Sequence, residues 1–237
     1  MLNRKELEES LDSVLRQEVK RILATVPYAS HLTDENHELD EEYYLRHRIE
    51  TIKRIRLTSQ TDALALAHMV NEDYEAARLW GKYTVQELNH DLLFMKDLKQ
   101  HGYTEEMVAA IEPFPSTIAM IDYLKTKIES IGSLPALAYS IFFEWNSERV
   151  SAKVVEKAEK KYSKSFVSGS KAHFGIDESQ DHYGMMLDIA HRLLAKKGDE
   201  KIILTLLKEI SAFIGDYFDE LYEQTVAQRQ LKSLTGV

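Results

Sequence analysis

Apolar residues recur at helical spacing along almost the whole chain. Over residues 3–25, Leu7, Leu11, Val14, Leu15, Val19 and Ile22 form one stripe. Asn3, with Glu6 three residues on, has the pattern of a capping box at its start. Pro27 ends this segment, because proline disfavours helix in the residue before it. The polar stretch that follows reads as a loop. A second helix is expected over about 40–57, with Tyr44, Leu45, Ile49 and Ile52 facing inward. A third starts near Asp62, bends near Gly81 and reaches about Gln100, where Gly102 supplies a stop. Pro115 opens a further helix carrying Ile118, Ile121, Leu124 and Ile128, and Pro135 sits in the first turn of the next. The segment around His173 continues to a stop at Gly198, and the last helix carries Ile203, Leu206, Leu207, Ile210, Ile214, Tyr217 and Leu221.

Four prolines and nine glycines in 237 residues leave little material for the frequent turns of a β protein. With no repeat or low-complexity linker, the expected fold is all-α: one domain over residues 1–237, a bundle of seven or eight helices. Such bundles build metal and cofactor sites from side chains that point inward from facing helices.

A formal net charge of −9 argues against a nucleic-acid partner, which needs a basic face to displace counterions. The absence of cysteine excludes disulfides, thiolate metal sites and cysteine nucleophiles. No apolar run is long enough to span a membrane, and the charged first turn is unlike a signal peptide. The expectation is a cytoplasmic protein with no membrane partner.

Three segments carry candidate chemistry. Glu87 and His90 are three residues apart, about 60° from one another on a helix, a spacing with which one helix offers a carboxylate and an imidazole to one metal. The plainer alternative is a surface pair. Glu144 sits in the apolar run of Ile141, Phe142, Phe143 and Trp145, where an unpaired charge would cost several kcal/mol. It calls for a metal, or for a core cation such as Arg149. His173 and Asp177 share a helix face, about 40° apart, and Asp181 continues it. His182 points away from that face unless a π-bulge brings it back. The alternative is that these acids decorate a helix start. Imidazole and carboxylate without sulfur suit iron or manganese.

The order of these pieces resembles the heme-oxygenase-like superfamily over roughly residues 40–222. That all-α group includes heme oxygenases, thiaminase II (TenA-like) proteins, PqqC-like oxidases and diiron oxidases. The stretch from Gly132 to Trp145 is similar to the thiaminase segment that carries a nucleophilic cysteine after a proline, but Ala136 follows Pro135 here. Thiaminase chemistry is therefore not expected. Nor is heme, because residues 3–25 lack the histidine that ligates it in heme oxygenase.

The diiron oxidase branch fits better. The resemblance implies Glu87, His90, Glu144, His173 and Asp177 as metal ligands, with Asp181 or His182 replacing a histidine whose place falls at Gln180. It implies one iron, and a second if that replacement completes the site. Trp80, Tyr83, Phe142, Trp145 and Gln180 are candidates for the pocket wall. The first reading is an iron-dependent oxidase or oxygenase that acts with O2 on a small, largely apolar molecule, in a chain expected to form homodimers. A metal-free TenA- or PqqC-like protein that binds a small heterocyclic intermediate is the second. The third is a non-catalytic helical regulator with these groups on its surface.

Overall fold

The first helix starts as its cap requires. In the computed structural model the Asn3 side chain accepts from the Glu6 N–H at 3.0 Å, and the Glu6 carboxylate accepts from the Asn3 N–H at 2.8 Å. The structure describes residues 3–235, with the side chains of residues 174, 176–179 and 235 outside the description. Every regular element within it is helical.

Helix α1 (Arg4–Thr25) buries Leu7, Leu11, Leu15 and Ile22. Helix α2 (Glu41–Glu72) is far longer than its apolar pattern suggests. The polar residues 58–62 do not interrupt it. The hydroxyls of Thr58, Ser59 and Thr61 each donate to a carbonyl one turn back, at 3.1, 2.7 and 2.8 Å, and so stay compatible with helix.

The expected third helix is two. Asp73 caps α3 (Tyr74–Glu87) by accepting from the Ala76 N–H at 2.8 Å, and a turn at residues 88–89 separates α3 from α4 (His90–Gln100). There is no break at Gly81. Then follow α5 (Glu105–Ala110), α6 (Pro115–Ile131), α7 (Leu134–Asn146), α8 (Ala152–Lys161), α9 (Ser168–Gln180), α10 (His182–Lys197), α11 (Lys201–Tyr222) and α12 (Gln228–Thr235). A π turn at residues 147–151 joins α7 to α8, and another at 223–227 joins α11 to α12. With α3 and α4 taken together as well, the described residues form nine rods. Eight of these are longer than the six-residue α5.

Helix α7 lies at the centre, packed by α6, α10, α11 and α2, so it has almost no solvent face. Helices α3, α4 and α6 pack on α2, and α1 packs on α11 and α10. The described residues make a single all-α domain. None of its helices is long and apolar enough to cross a membrane.

The α4–α9 contact positions one candidate ligand, His173. Buried Asp97 of α4 accepts from the Gly169 N–H (2.7 Å), the Ser170 N–H (2.8 Å) and the Ser170 hydroxyl (2.7 Å), which satisfies the first turn of α9. Gly169 lets that turn lie against the α4 backbone, because a Cβ there would stand 1.8 Å from the Leu93 carbonyl oxygen. Gly169→Ala is therefore expected to lower unfolding free energy by about 1–3 kcal/mol. Urea denaturation checks this; unchanged stability would mean that α9 is not held by the close approach.

Candidate metal centre

The Glu87–His90 pair straddles a helix break instead of lying on one regular helix. Glu87 is the last residue of α3 and His90 the first of α4. The two-residue turn still keeps them together: Glu87 Oε2 lies 3.0 Å from His90 Nδ1. The imidazole is buried, at 1 % exposure.

Glu144 approaches from central helix α7 and is 6 % exposed. Arg149 is not its partner, since that guanidinium is engaged by Glu148 at 2.8 Å and Asp12 at 3.6 Å. Instead the Tyr83 hydroxyl donates to Glu144 Oε1 at 2.8 Å. Burial, then the Glu144 and Glu87 carboxylates, push the Tyr83 hydroxyl well above its ordinary pKa, so it keeps the proton it donates.

His182 reaches the centre by a device other than a π-bulge. Asp181 adopts a left-handed conformation (φ 48°, ψ 54°) that ends α9 and turns the chain into α10. This turn places His182 inside, at 1 % exposure. Asp181 itself is exposed, and its carboxylate accepts from the Gly184 N–H at 3.1 Å. A Cβ at Gly184 would stand 2.2 Å from that carboxylate, which accounts for the glycine. Of the two expected substitutes for the missing histidine, the structure thus brings in His182 and uses Asp181 as a helix cap.

Gln180, at the place of that histidine, acts at one remove. Its side-chain oxygen accepts from the Gln86 amide at 3.3 Å, and Gln86 Oε1 lies 2.9 Å from His182 Nε2. A carbonyl oxygen only accepts, so Nε2 carries a proton and Nδ1 is the ring nitrogen that faces the carboxylates. His182 Nδ1 lies 3.5 Å from Glu87 Oε1 and 3.7 Å from Glu144 Oε2.

His173, on α9, is half-buried, with its ring centroid 4.1 Å from that of His90 and 5.0 Å from Phe94. The Asp177 side chain lies outside the described residues.

Among the described residues, two groups of potential ligands result: Glu87, His90 and His173, and Glu87, Glu144 and His182. The donor atoms of each lie within 4.8 Å of one another. The buried Glu and His side chains can therefore hold a metal. Glu87 belongs to both groups and turns one oxygen toward His90 and the other toward His182. The donors are imidazole nitrogen and carboxylate oxygen throughout, which fits a first-row divalent metal of the iron or manganese kind.

The centre opens into a cavity of about 320 Å³ whose wall includes Glu87, Glu144 and His173. Tyr83 and Phe142 line it. Trp80 does not: it packs behind Tyr83 and donates to the Asp62 carbonyl at 3.0 Å. Trp145 faces α1 and donates to Asp12 at 2.8 Å. Apolar residues of α1, α7 and α11 make the far wall, among them Ile22, Leu23, Phe143, Ile214 and Phe218.

Three charged residues of α2 also line the cavity, and none figured among the sequence candidates. Asp62 is raised to about 8 by burial and then by Glu87, so it is largely protonated at neutral pH. Arg48 and Arg54 are 5 % and 7 % exposed. Arg48 stacks on Tyr44 and Phe94; Arg54 stacks on Phe143 and Tyr217 and lies beside the Tyr139 hydroxyl. Such stacking contributes about 2 kcal/mol when desolvated. That falls short of the several kcal/mol that burying an ion costs. Arg48 sits in helical register between Tyr44 and Ile52, and a charge inside that apolar stripe was an available signal. Asp62 and Arg54 have polar residues one turn before them, Thr58 and Glu50, and carried no such signal.

No family model matches the sequence, and no curated protein resembles it. Among solved structures, it is similar to a domain of unknown function with a heme oxygenase-like fold from Shewanella denitrificans OS217. The TM-score is 0.80 at 16 % identity, over 97 % of this chain and 96 % of that one. The fold is therefore heme oxygenase-like, in agreement with the resemblance read from the sequence.

The displaced Asp62 gives a pH dependence with a defined sign. In the unfolded chain the carboxyl ionises near 3.8, while in the folded protein it stays neutral up to about 8. Folding therefore loses stability as pH rises from about 4 to 8, by about 1.4 kcal/mol for each unit of displacement. In metal-free protein, Asp62→Asn is expected to be more stable than wild type at pH 8, with the gap closing by pH 4. Denaturation at the two pH values measures it, and a gap independent of pH would refute the assignment.

Proposed function

We propose that the protein is an iron-dependent oxidase or oxygenase that acts with O2 on a small, largely apolar molecule held in the cavity. The observation that carries this reading is the division of Glu87 between two histidines from different helices, with Glu144 completing the second group. Glu87, His90 and His173 would hold one iron; Glu87, Glu144 and His182 would hold the other. Iron supplies the electrons for dioxygen chemistry, which no side chain can provide.

The chain's own residues have separable tasks in this reading. Tyr83 holds one oxygen of Glu144 by hydrogen bond and leaves the other turned toward His182. Gln86, steadied by Gln180, fixes the His182 tautomer and aims Nδ1 inward. The His90 Nδ1–H donates to Glu87, and the imidazole would have to be neutral to hold a metal. The apolar cavity wall orients the substrate and keeps bulk water from the centre.

The test is metal content after anaerobic iron loading. Wild type is expected to hold up to two irons per chain. Glu87→Ala should lose both, because both groups need that carboxylate. His173→Ala and His182→Ala should each lose about one, with little loss of stability. Iron-dependent oxygen uptake in the presence of a substrate would follow. Wild type that takes up no iron would sink the proposal, and the same side chains would then serve as acid–base groups in a metal-free site.

A further inference from the structure

We propose that Arg48 and Arg54 form an anion subsite in the cavity, and that the molecule bound there is a carboxylate on a largely apolar body. The inference deepens the oxidase reading and rests on it for the reaction, though not for the binding.

Both guanidiniums are more than nine-tenths buried, and both line the cavity. Arginine cannot shed its proton to escape burial. Among the described residues, the Nε and Nη2 atoms of Arg48 have no hydrogen-bond partner. Among the described residues, no carboxylate lies within ion-pair distance of Arg48 or Arg54. The acid closest to them in sequence, Glu50, is committed elsewhere. It pairs with Arg46 at 2.9 Å and accepts from the Phe114 N–H at 3.1 Å and the Thr117 hydroxyl at 2.7 Å. His47 cannot supply a negative charge, and its Nδ1 is bonded to the Tyr217 hydroxyl at 2.6 Å.

The remaining acids of the cavity, Glu87 and Glu144, face the histidines of the metal centre. A cation bound there would take up their charge and leave the two guanidiniums unbalanced. A ligand that brings its own negative charge removes that imbalance, and a neutral one does not. The planar guanidinium fork matches a carboxylate, and the aromatic rings beneath each arginine hold the fork in place. Cavity size restricts the body of the acid to a small molecule, and Leu23, Leu66, Ile214 and Phe218 give it an apolar wall.

The experiment compares 4-phenylbutyrate with its neutral counterpart 4-phenylbutanol by calorimetry on metal-free full-length protein. The acid is expected to bind at least tenfold more tightly, about 1.4 kcal/mol. Arg48→Met with Arg54→Met should erase this preference and leave binding of the alcohol unchanged. Equal affinities, no binding of the acid, or a preference that survives the double replacement would overturn the subsite. If the methionine variants fail to fold, Arg54→Lys carries the test. It keeps the charge but loses the fork, so a preference equal to that of wild type overturns the assignment. Because iron takes no part, failure here leaves the iron-content result standing, and failure of iron binding leaves this one readable.

Discussion

The Glu87 carboxylate sits where α3 ends, and the centre is arranged around its two oxygens. One faces His90, the other His182, with Glu144 behind the latter. A carboxylate taken out of water costs several kcal/mol unless it is paired, and here two are brought together inside the bundle. The surrounding structure can be read as the means of making that tolerable. The turn at residues 88–89 delivers His90 to one oxygen, and the left-handed Asp181 delivers His182 to the other. Tyr83 donates to the second carboxylate. The two backbone devices come from different parts of the chain, and each departs from the regular helix around it.

That distribution explains what was legible in the sequence. Apolar periodicity reports packing, so the all-α fold, the capped first helix and buried Glu144 on a helix without a solvent face could all be read from it. Periodicity assumes that a helix continues, so it misplaced the breaks. Gly81 lies inside α3, and the polar run before Asp62 inside α2, because back-bonded hydroxyls satisfy the same backbone that a loop would expose. Glu87 and His90 emerged as a pair because a short turn preserves their neighbourhood. The choice between Asp181 and His182 could not be made by counting residues along a uniform helix. It depends on one backbone conformation with positive φ, which reverses which of the two side chains faces inward. Gln180, read as the place of a missing ligand, proves to be the outer support of the histidine that arrives from the next helix.

The cavity side of α2 shows the same economy with charge. Asp62, Arg48 and Arg54 occupy positions where an apolar residue would have packed without penalty. Asp62 avoids the penalty by holding its proton, as its raised pKa shows. An arginine has no such escape, so its charge must be met from outside the side chain. Aromatic stacking meets part of it. The acidic centre and the basic wall therefore share one cavity without neutralising one another directly. In the reading proposed above, each is balanced by something that enters: a cation on the acidic side, an acid on the basic side. Binding of either one strengthens the field felt by the other across a medium of low dielectric. In the proposed reading, such a cavity favours joint occupancy of its two ends over occupancy of either alone, because the coupling between them is reciprocal.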